Sequence, residues 1–257
     1  MKIYKYKSLL KLEDKELEHF YQIVLENQIW CGNPANFNDE NEFLFRIDYT
    51  PSINTIGLPA SIISKYKSNP LFLPMMSSTF VVDNGRLEKI ASPIIEDISI
   101  KCRKELGVTC FSKLRDDSLL WNRYGGCENG VCIEIEINDE LIDKEYFHVN
   151  YVPKKIYHID DFLKSVLEDP YVNYRSILLT KTLDWEPESE VRLISNKQSV
   201  KRNLKGSIKE IIIGKNVKLE IGNDIHSRIG TYCNENKIQI TWANKLMDLN
   251  ECQRCSF

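Results

Sequence analysis

The chain has 257 residues, of which 42% are hydrophobic and 10% aromatic, an ordinary composition for a globular core. Charged residues make up 28% of the sequence and the net charge is −3, which excludes a general attraction to nucleic acid or anionic lipid but leaves room for a local basic groove. No apolar run reaches the roughly 18 residues that cross a bilayer, and the polar N-terminus lacks the pattern of a signal peptide. We therefore expect a cytoplasmic protein with no membrane contact.

Eight cysteines are many for a chain in a reducing compartment, and we expect most of them to be reduced and buried. Cys252 and Cys255 have the spacing of metal ligands. One such pair is only half of a structural zinc site. We therefore expect no metal.

Apolar periodicity predicts a mixed series of strands and helices along the chain. In the first half, strands are predicted at residues 3–9, 29–31 and 108–112, and helices at 10–27, 60–67, 87–106 and 118–124. In the second half, strands are predicted at 131–137, 148–152, 188–194, 207–214 and 238–243, and helices at 159–168, 171–182 and 219–234. This irregular order favours an α+β fold of mainly antiparallel mixed sheets with flanking helices, in a single domain over residues 1–257.

Alternating charges mark the predicted strand at residues 188–194. A period of two places Glu188, Glu190 and Arg192 on one face of that strand, while the apolar residues between them face a core. One interpretation is the solvated face of an edge strand with local ion pairs. The other is a strand that holds a ribose or an acid–base pair.

A second acidic pair, Glu134 and Glu136, alternates with apolar residues on the strand at 131–137. The simpler interpretation is an antiparallel sheet with one wet face. If this strand neighboured the strand at 188–194, four carboxylates would line one face, and their repulsion would raise the pKa of at least one of them.

Two further segments carry candidate ligand-binding residues. Asn38 and Asp39 follow a turn-rich stretch, where they either build a local turn or donate and accept hydrogen bonds to a ligand. Trp121 and Tyr124 precede a glycine-rich loop and serve either in the core or as a stacking platform. The loop glycines do not match a phosphate-binding fingerprint.

Seven short motifs occur in an order that resembles a widespread bacterial domain family of unknown function. The motifs are Tyr4-Lys5-Tyr6, Phe37-Asn38-Asp39 after Trp30, Cys110-Phe111-Ser112, Leu120-Trp121 with Tyr124, Gly130-Val131-Cys132-Ile133-Glu134, Lys181 with Trp185, and Glu188-x-Glu190-x-Arg192-Leu193-Ile194. The family-like core spans about residues 4–214, and a helix–strand extension covers residues 215–257.

More distantly, the layout is similar to that of ADP-ribosyltransferases, which bind NAD as a substrate between two small sheets. The resemblance implies that Glu190 is the catalytic carboxylate, that Glu188 activates the acceptor, and that Arg192 belongs to the same site. It also implies that Lys5 or Tyr6 stands where these enzymes have a histidine or arginine for the nicotinamide ribose. Asn38, Asp39, Trp121 and Tyr124 would complete the NAD site.

The leading hypothesis is therefore an NAD-consuming effector, of the kind found in toxin or phage-defence systems, that modifies a nucleic-acid or protein acceptor and has an antitoxin or defence-system partner. A second hypothesis is a nuclease in which Asp39, Glu134, Glu136 and Glu188 hold Mg²⁺ and Lys181 stabilises charge. A third is a non-enzymatic sensor or interaction module, in which the carboxylate faces are only solvated sheet.

Overall fold

The structure is a computed structural model that describes residues 1–10, 15–39, 42, 46–48, 80–83, 86–89, 104–158 and 177–243. The chain divides into two compact units. Unit 1 comprises Met1–Gly32, Gly107–Val149 and Asp184–Phe257, and unit 2 comprises Asn33–Leu106 and Asn150–Leu183. The assignment of one domain over residues 1–257 stays a prediction.

Unit 1 is built on a seven-stranded sheet in the order β15-β14-β7-β1-β6-β12-β8. Its strands are β1 (Lys2–Ser8), β6 (Gly107–Ser112), β7 (Gly130–Glu136), β8 (Tyr146–His148), β12 (Glu190–Ser195), β14 (Ser207–Ile213) and β15 (Gln239–Trp242). Neighbouring strands are antiparallel, except that β14 and β15 are parallel. The structure is thus a mixed α/β arrangement with a mainly antiparallel sheet and a few helices.

One face of this sheet is apolar, because successive side chains of a strand point to opposite faces and the register places the apolar ones of neighbouring strands side by side. On β7, Val131, Ile133 and Ile135 are fully buried, and Ile3 and Ile211 lie on the same face of the neighbouring strands. Helices α1 (Lys15–Glu26) and α3 (Leu219–Glu235) contribute their buried residues to the same core. Burying each such side chain stabilises the fold by about 1.5–3 kcal/mol, so this face forms the main core.

The other face of the sheet carries polar side chains and a smaller apolar cluster. Tyr4, Tyr6 and Cys132 project from this face and pack with Leu120 and Trp121. The last two residues belong to α2 (Ser118–Arg123), which matches the predicted helix at 118–124. This short helix therefore covers part of the polar face.

Smaller pairings complete the described residues. In unit 1, β2 (Gln28–Cys31) and β13 (Val200–Asn203) form an antiparallel ribbon. In unit 2, β3 (Arg46–Asp48) pairs with β10 (Ile156–His158), β9 (Asn150–Val152) with β11 (Thr180–Thr182), and β4 (Phe80–Asp83) with β5 (Arg86–Lys89). Asn33 caps a short 3₁₀ helix at Pro34–Asn36, as the turn chemistry of that stretch predicts.

Four predicted elements differ from the structure. The single strand predicted at 148–152 is interrupted at Val149, because β8 pairs with β12 and β9 pairs with β11. Residues 86–89 form a strand of a hairpin, so the helix predicted at 87–106 is wrong at its start. Residues 180–182 are also a strand and not the end of a helix, because they pair with β9. Glu188 ends a 3₁₀ helix at Leu183–Glu188 and does not belong to β12.

Other predictions fall outside the described residues. They are the helices at 60–67 and 159–168 and the pair Cys252 and Cys255. Among the cysteines that the structure describes, Cys31, Cys110, Cys132 and Cys233 are reduced thiols, whereas Cys127 is disulfide-bonded. In the part of the chain that is described, no helix is both long and apolar enough to span a membrane.

We expect two glycine substitutions in unit 1 to change stability in opposite directions. A Cβ added at Gly130 would overlap the carbonyl oxygen of Lys7 and lie 2.9 Å from that of Gly125, so Gly130→Ala should destabilise the fold by about 1–3 kcal/mol or more. Gly230 lies within α3, and a Cβ added there would meet no atom within 4 Å, so Gly230→Ala should stabilise by about 0.5–1 kcal/mol. Urea unfolding followed by circular dichroism measures both, and equal effects would contradict the packing described for β7.

Candidate functional site

A sharp turn separates the two glutamates of the candidate site, so that Glu188 ends a 3₁₀ helix and Glu190 begins β12. The 3₁₀ helix at Leu183–Glu188 ends at Ser189, whose φ of 46° is left-handed, and the Ser189 amide donates to the Glu186 carbonyl at 3.0 Å. Ser112 on β6 donates its hydroxyl to the backbone carbonyl of Glu188 at 2.6 Å. These two hydrogen bonds hold the turn at Ser189. They therefore fix the positions of Glu188 and Glu190 relative to each other, although the two residues lie in different elements.

Glu190 and Arg192 form a buried pair on the polar face of the sheet. The Arg192 Nε lies 2.6 Å from Glu190 Oε1, and Arg192 Nη2 lies 3.1 Å from Glu190 Oε2. The exposed fractions of the two side chains are 0% for Arg192 and 3% for Glu190. Because a buried charge is costly unless it is paired, each side chain holds the other in place and the carboxylate is fixed in orientation.

Glu188 is the second buried carboxylate. Its Oε1 accepts hydrogen bonds from Arg123 Nη1 at 2.8 Å and from the Tyr124 hydroxyl at 2.7 Å. Burial, and after it the charge of Glu188, raises the pKa of Tyr124 well above its usual value. The Tyr124 hydroxyl therefore keeps its proton and remains a donor to this carboxylate.

The outer layer of the site is an arginine on an indole ring. The guanidinium carbon of Arg123 lies 4.8 Å from the centre of the Trp185 ring, and the Arg123 side chain is 33% exposed. This cation–π contact is worth about 0.5–1 kcal/mol at an exposed site. The buried carboxylate of Glu188 thus lies behind a partly exposed layer of Arg123 and Trp185.

Helix α2 presents Arg123 and Tyr124 because its own ends are fixed. Asp117 caps the helix by accepting from the Leu120 amide at 3.1 Å. The buried Trp121 donates its indole N–H to Asp116 at 2.7 Å and packs edge-on against Tyr6, with ring centres 5.3 Å apart. Trp121 and Tyr6 therefore support α2 from behind.

The two residues predicted for the nicotinamide ribose lie on opposite faces of β1. Tyr6 donates its hydroxyl to the Leu114 carbonyl at 3.0 Å and accepts from the Asp117 amide at 3.0 Å. Lys5 lies on the face opposite Glu190 and donates to the Cys110 carbonyl at 2.9 Å. Burial, and after it the charge of Lys7, lowers the pKa of Lys5.

Asn38 and Asp39 belong to unit 2, just after the 3₁₀ helix that Asn33 caps. Asn38 is exposed and Asp39 is buried. The Asp39 carbonyl accepts from the Glu42 amide at 2.9 Å, and the Glu42 carboxylate lies 3.8 Å from Lys181 Nζ in the same unit.

Glu134 and Glu136 lie elsewhere on the sheet, because β1 and β6 separate β7 from β12. The condition for four neighbouring carboxylates is therefore not met. Glu134 accepts from Tyr4 at 3.0 Å and lies 2.7 Å from Lys2 Nζ, and Glu136 lies 3.1 Å from Lys209 Nζ. Among the described residues, no group of three or more acidic, histidine or cysteine side chains is arranged to hold a metal ion.

The structure brings Tyr124 to Glu188 and Arg192 to Glu190, whereas sequence reasoning missed the roles of Arg123 and Trp185. Both missed residues lie within the motifs, beside Tyr124 and before Glu188. The residue types alone gave no signal of a site, because arginine is mostly a surface residue and tryptophan is mostly buried. Only the fold places Arg123 on the Trp185 ring.

The site thus defines a class: a mainly antiparallel α/β protein with two buried carboxylates, each bound by an arginine. Comparison of the chain with protein-family models, with curated proteins and with solved structures finds no match.

We expect Tyr124→Phe to destabilise the protein by about 1.5–3 kcal/mol, because it removes a hydrogen bond to a buried carboxylate. Tyr21→Phe is the matched control, since Tyr21 donates to Asp224 at 2.7 Å and that side chain is 22% exposed. Its cost should be smaller than that of Tyr124→Phe, because the partly exposed Asp224 carboxylate can accept a hydrogen bond from water instead. Chemical unfolding measures both variants, and equal losses would contradict a buried bond to Glu188.

Buried tyrosines should make stability fall in alkali. The pKa values of Tyr4 and Tyr146 are raised to about 12, chiefly by burial, and that of Tyr124 is raised further. A tyrosine in the unfolded chain has a pKa near 10.0. The stability that these tyrosines contribute is therefore fully present below pH 10, and it is lost as the pH rises through their pKa values in the folded protein. Tyrosinate absorbance should show these side chains un-ionised at pH 11 while the fold persists, and ionisation of every tyrosine near pH 10 without unfolding would contradict their burial.

Proposed function

We propose that the chain is an ADP-ribosyltransferase-like enzyme that consumes NAD at the site formed by Glu188, Glu190 and Arg192. One observation carries the proposal: the nearly buried carboxylate of Glu188 lies behind a partly exposed arginine and indole ring, and a second buried carboxylate, Glu190, follows two residues later in the chain. Carboxylates enclosed in this way interact strongly with a positive charge that develops beside them, because little water screens them.

The proposed chemistry is transfer of an ADP-ribosyl group. The bond from the nicotinamide nitrogen to the ribose C1′ breaks, and its electron pair leaves with nicotinamide. Positive charge then develops on C1′ and its ring oxygen, and the carboxylate of Glu190 stabilises it. The pairing with Arg192 supports this role, because it fixes the carboxylate before the substrate arrives.

Glu188 has the second proposed role, in activating the acceptor. The acceptor nucleophile forms the new bond to C1′ and gives up its proton, which the Glu188 carboxylate accepts. Its position beside the partly exposed Arg123 supports this role, since an acceptor must reach it from the outer layer.

The outer layer supplies groups suited to the rest of NAD. A guanidinium such as that of Arg123 is a good partner for the pyrophosphate, and an indole such as that of Trp185 stacks on a flat ring. A toxin or phage-defence effector with a nucleic-acid or protein acceptor remains the proposed setting, and it rests on the resemblance of the motifs.

No observation of the described residues favours the nuclease. Its proposed ligands Glu134, Glu136 and Glu188 do not converge, because β1 and β6 separate β7 from β12 and from Glu188 just before β12. The interaction module is the outcome that the following experiment separates from the enzyme.

We expect Glu190→Gln to reduce nicotinamide release from NAD by on the order of 100-fold, because it removes the negative charge beside C1′. Glu188→Gln should reduce transfer to an acceptor on the order of 100-fold, whereas the rate of NAD hydrolysis should fall less. Chromatography of the nicotinamide, with adenine-labelled NAD and cell extract, DNA and RNA as acceptors, measures both.

Glu134→Gln is the matched control, because Glu134 is another nearly buried, ion-paired glutamate on the same face of the sheet. This variant should keep full activity. A folded wild-type protein that releases no nicotinamide with any acceptor would sink the proposal and favour the interaction module.

A further inference from the structure

An exposed aromatic pair lies in unit 1, outside the proposed NAD site. The rings of Trp30 and His19 stack with their centres 5.4 Å apart and their planes 14° apart. The whole Trp30 residue is 38% exposed, although tryptophan side chains usually bury most of their surface. Because His19 holds one orientation of the indole ring, less conformational freedom is lost when a further flat ring stacks on it.

The ribbon of β2 and β13 gives this pair its surroundings. Ile29 and Cys31 point into the core, so Trp30 points outward, and Lys201 lies directly opposite it on β13. Gln28 and Asn203 lie opposite each other in the register of the two strands, on the same outward face. The outward face of the ribbon therefore combines an aromatic ring, an ammonium group and two amides.

The chain around β13 is locally basic, in contrast to the net charge of −3. Residues 197–205 contain four cations and no acidic residue: Lys197, Lys201, Arg202 and Lys205. Glu145 forms ion pairs with Arg202 and Lys205.

Lys201 has a much weaker carboxylate partner. Its Nζ lies 3.8 Å from Glu26, and both side chains are more than two-fifths exposed. Such a surface pair is screened by solvent and salt, so the ammonium group is available to a phosphate.

We propose that the outward face of the β2–β13 ribbon binds single-stranded nucleic acid, with a base stacked on Trp30 and a backbone phosphate neutralised by Lys201. Every base has a flat face that an aromatic ring can bind, and this stacking needs no particular sequence. The amides of Gln28 and Asn203 are suited to base edges. Charge favours this ligand over an apolar protein surface, because a single indole among polar groups does not make a desolvated interface core.

The surface also bears on the acceptor of the proposed transfer reaction. If the reaction occurs as proposed, the strand bound here is its acceptor, and this step rests on the proposed function. The binding itself does not, because it involves neither NAD nor the two glutamates.

Fluorescence anisotropy of a labelled oligonucleotide of about ten nucleotides tests the binding, with poly-U, poly-dT and duplex arms. We expect wild-type protein to bind the single strands more tightly than the duplex. Trp30→Ala should weaken binding about tenfold or more, because the loss of one stacked base costs that much. Lys201→Ala should lower the slope of log affinity against log salt by about 0.7, between roughly 50 and 200 mM salt.

Trp242→Ala is the matched control, since Trp242 is 46% exposed on β15 and lies outside the ribbon. It should leave the affinity unchanged. Absence of binding by a folded wild-type protein would overturn the proposal, as would equal losses in the Trp30 and Trp242 variants. Because binding is measured without NAD, and Trp30→Ala leaves Glu188 and Glu190 in place, failure of binding and failure of NAD turnover are distinguishable.

Discussion

The ion pair between Glu190 and Arg192 is the interaction on which the site depends. Both side chains are almost completely removed from water, and neither could be accommodated there alone, because an uncompensated buried charge costs several kcal/mol. Removing either partner would leave the other charge buried. The pair therefore keeps both side chains together and fixes a carboxylate on the polar face of the sheet.

The two faces of the sheet have different roles: one packs in the main core, and the other carries the candidate site. The strict alternation along β7 and its neighbours gives one face to the core under α1 and α3, and the other face to polar side chains. On that polar face the charges are paired locally, Glu134 of β7 with Lys2 and Glu190 of β12 with Arg192. Beside β12, Arg123 and Tyr124 from the short helix α2 and its C-terminal cap bind Glu188, and Arg123 gives this carboxylate a partly exposed outer layer.

Unit 1 thus offers two surfaces with different chemistry. The Glu188 and Glu190 site combines two carboxylates, each bound by an arginine, with a partly exposed indole ring, and it is the proposed site of NAD cleavage. The β2–β13 ribbon combines Trp30 with Lys201 and suits an anionic strand with flat bases. Trp121 and Tyr6 support the first surface, because they pack against each other and hold α2 in place. An aromatic residue within a motif can therefore have a packing role without contacting a ligand.

The sequence by itself determined most strands of the seven-stranded sheet, because alternating apolar residues such as Val131, Ile133 and Ile135 favour a strand with one buried face. It also singled out Glu190 and Arg192, whose spacing of two places them on one face of a strand. The tertiary structure alone decided that Arg123 meets Glu188 across 65 residues, since this contact depends on the order of β7, β1, β6 and β12 in the sheet. It likewise separated Lys5 from Glu190, and β7 from β12. Strand order follows from long-range pairing, and local periodicity carries no information about it.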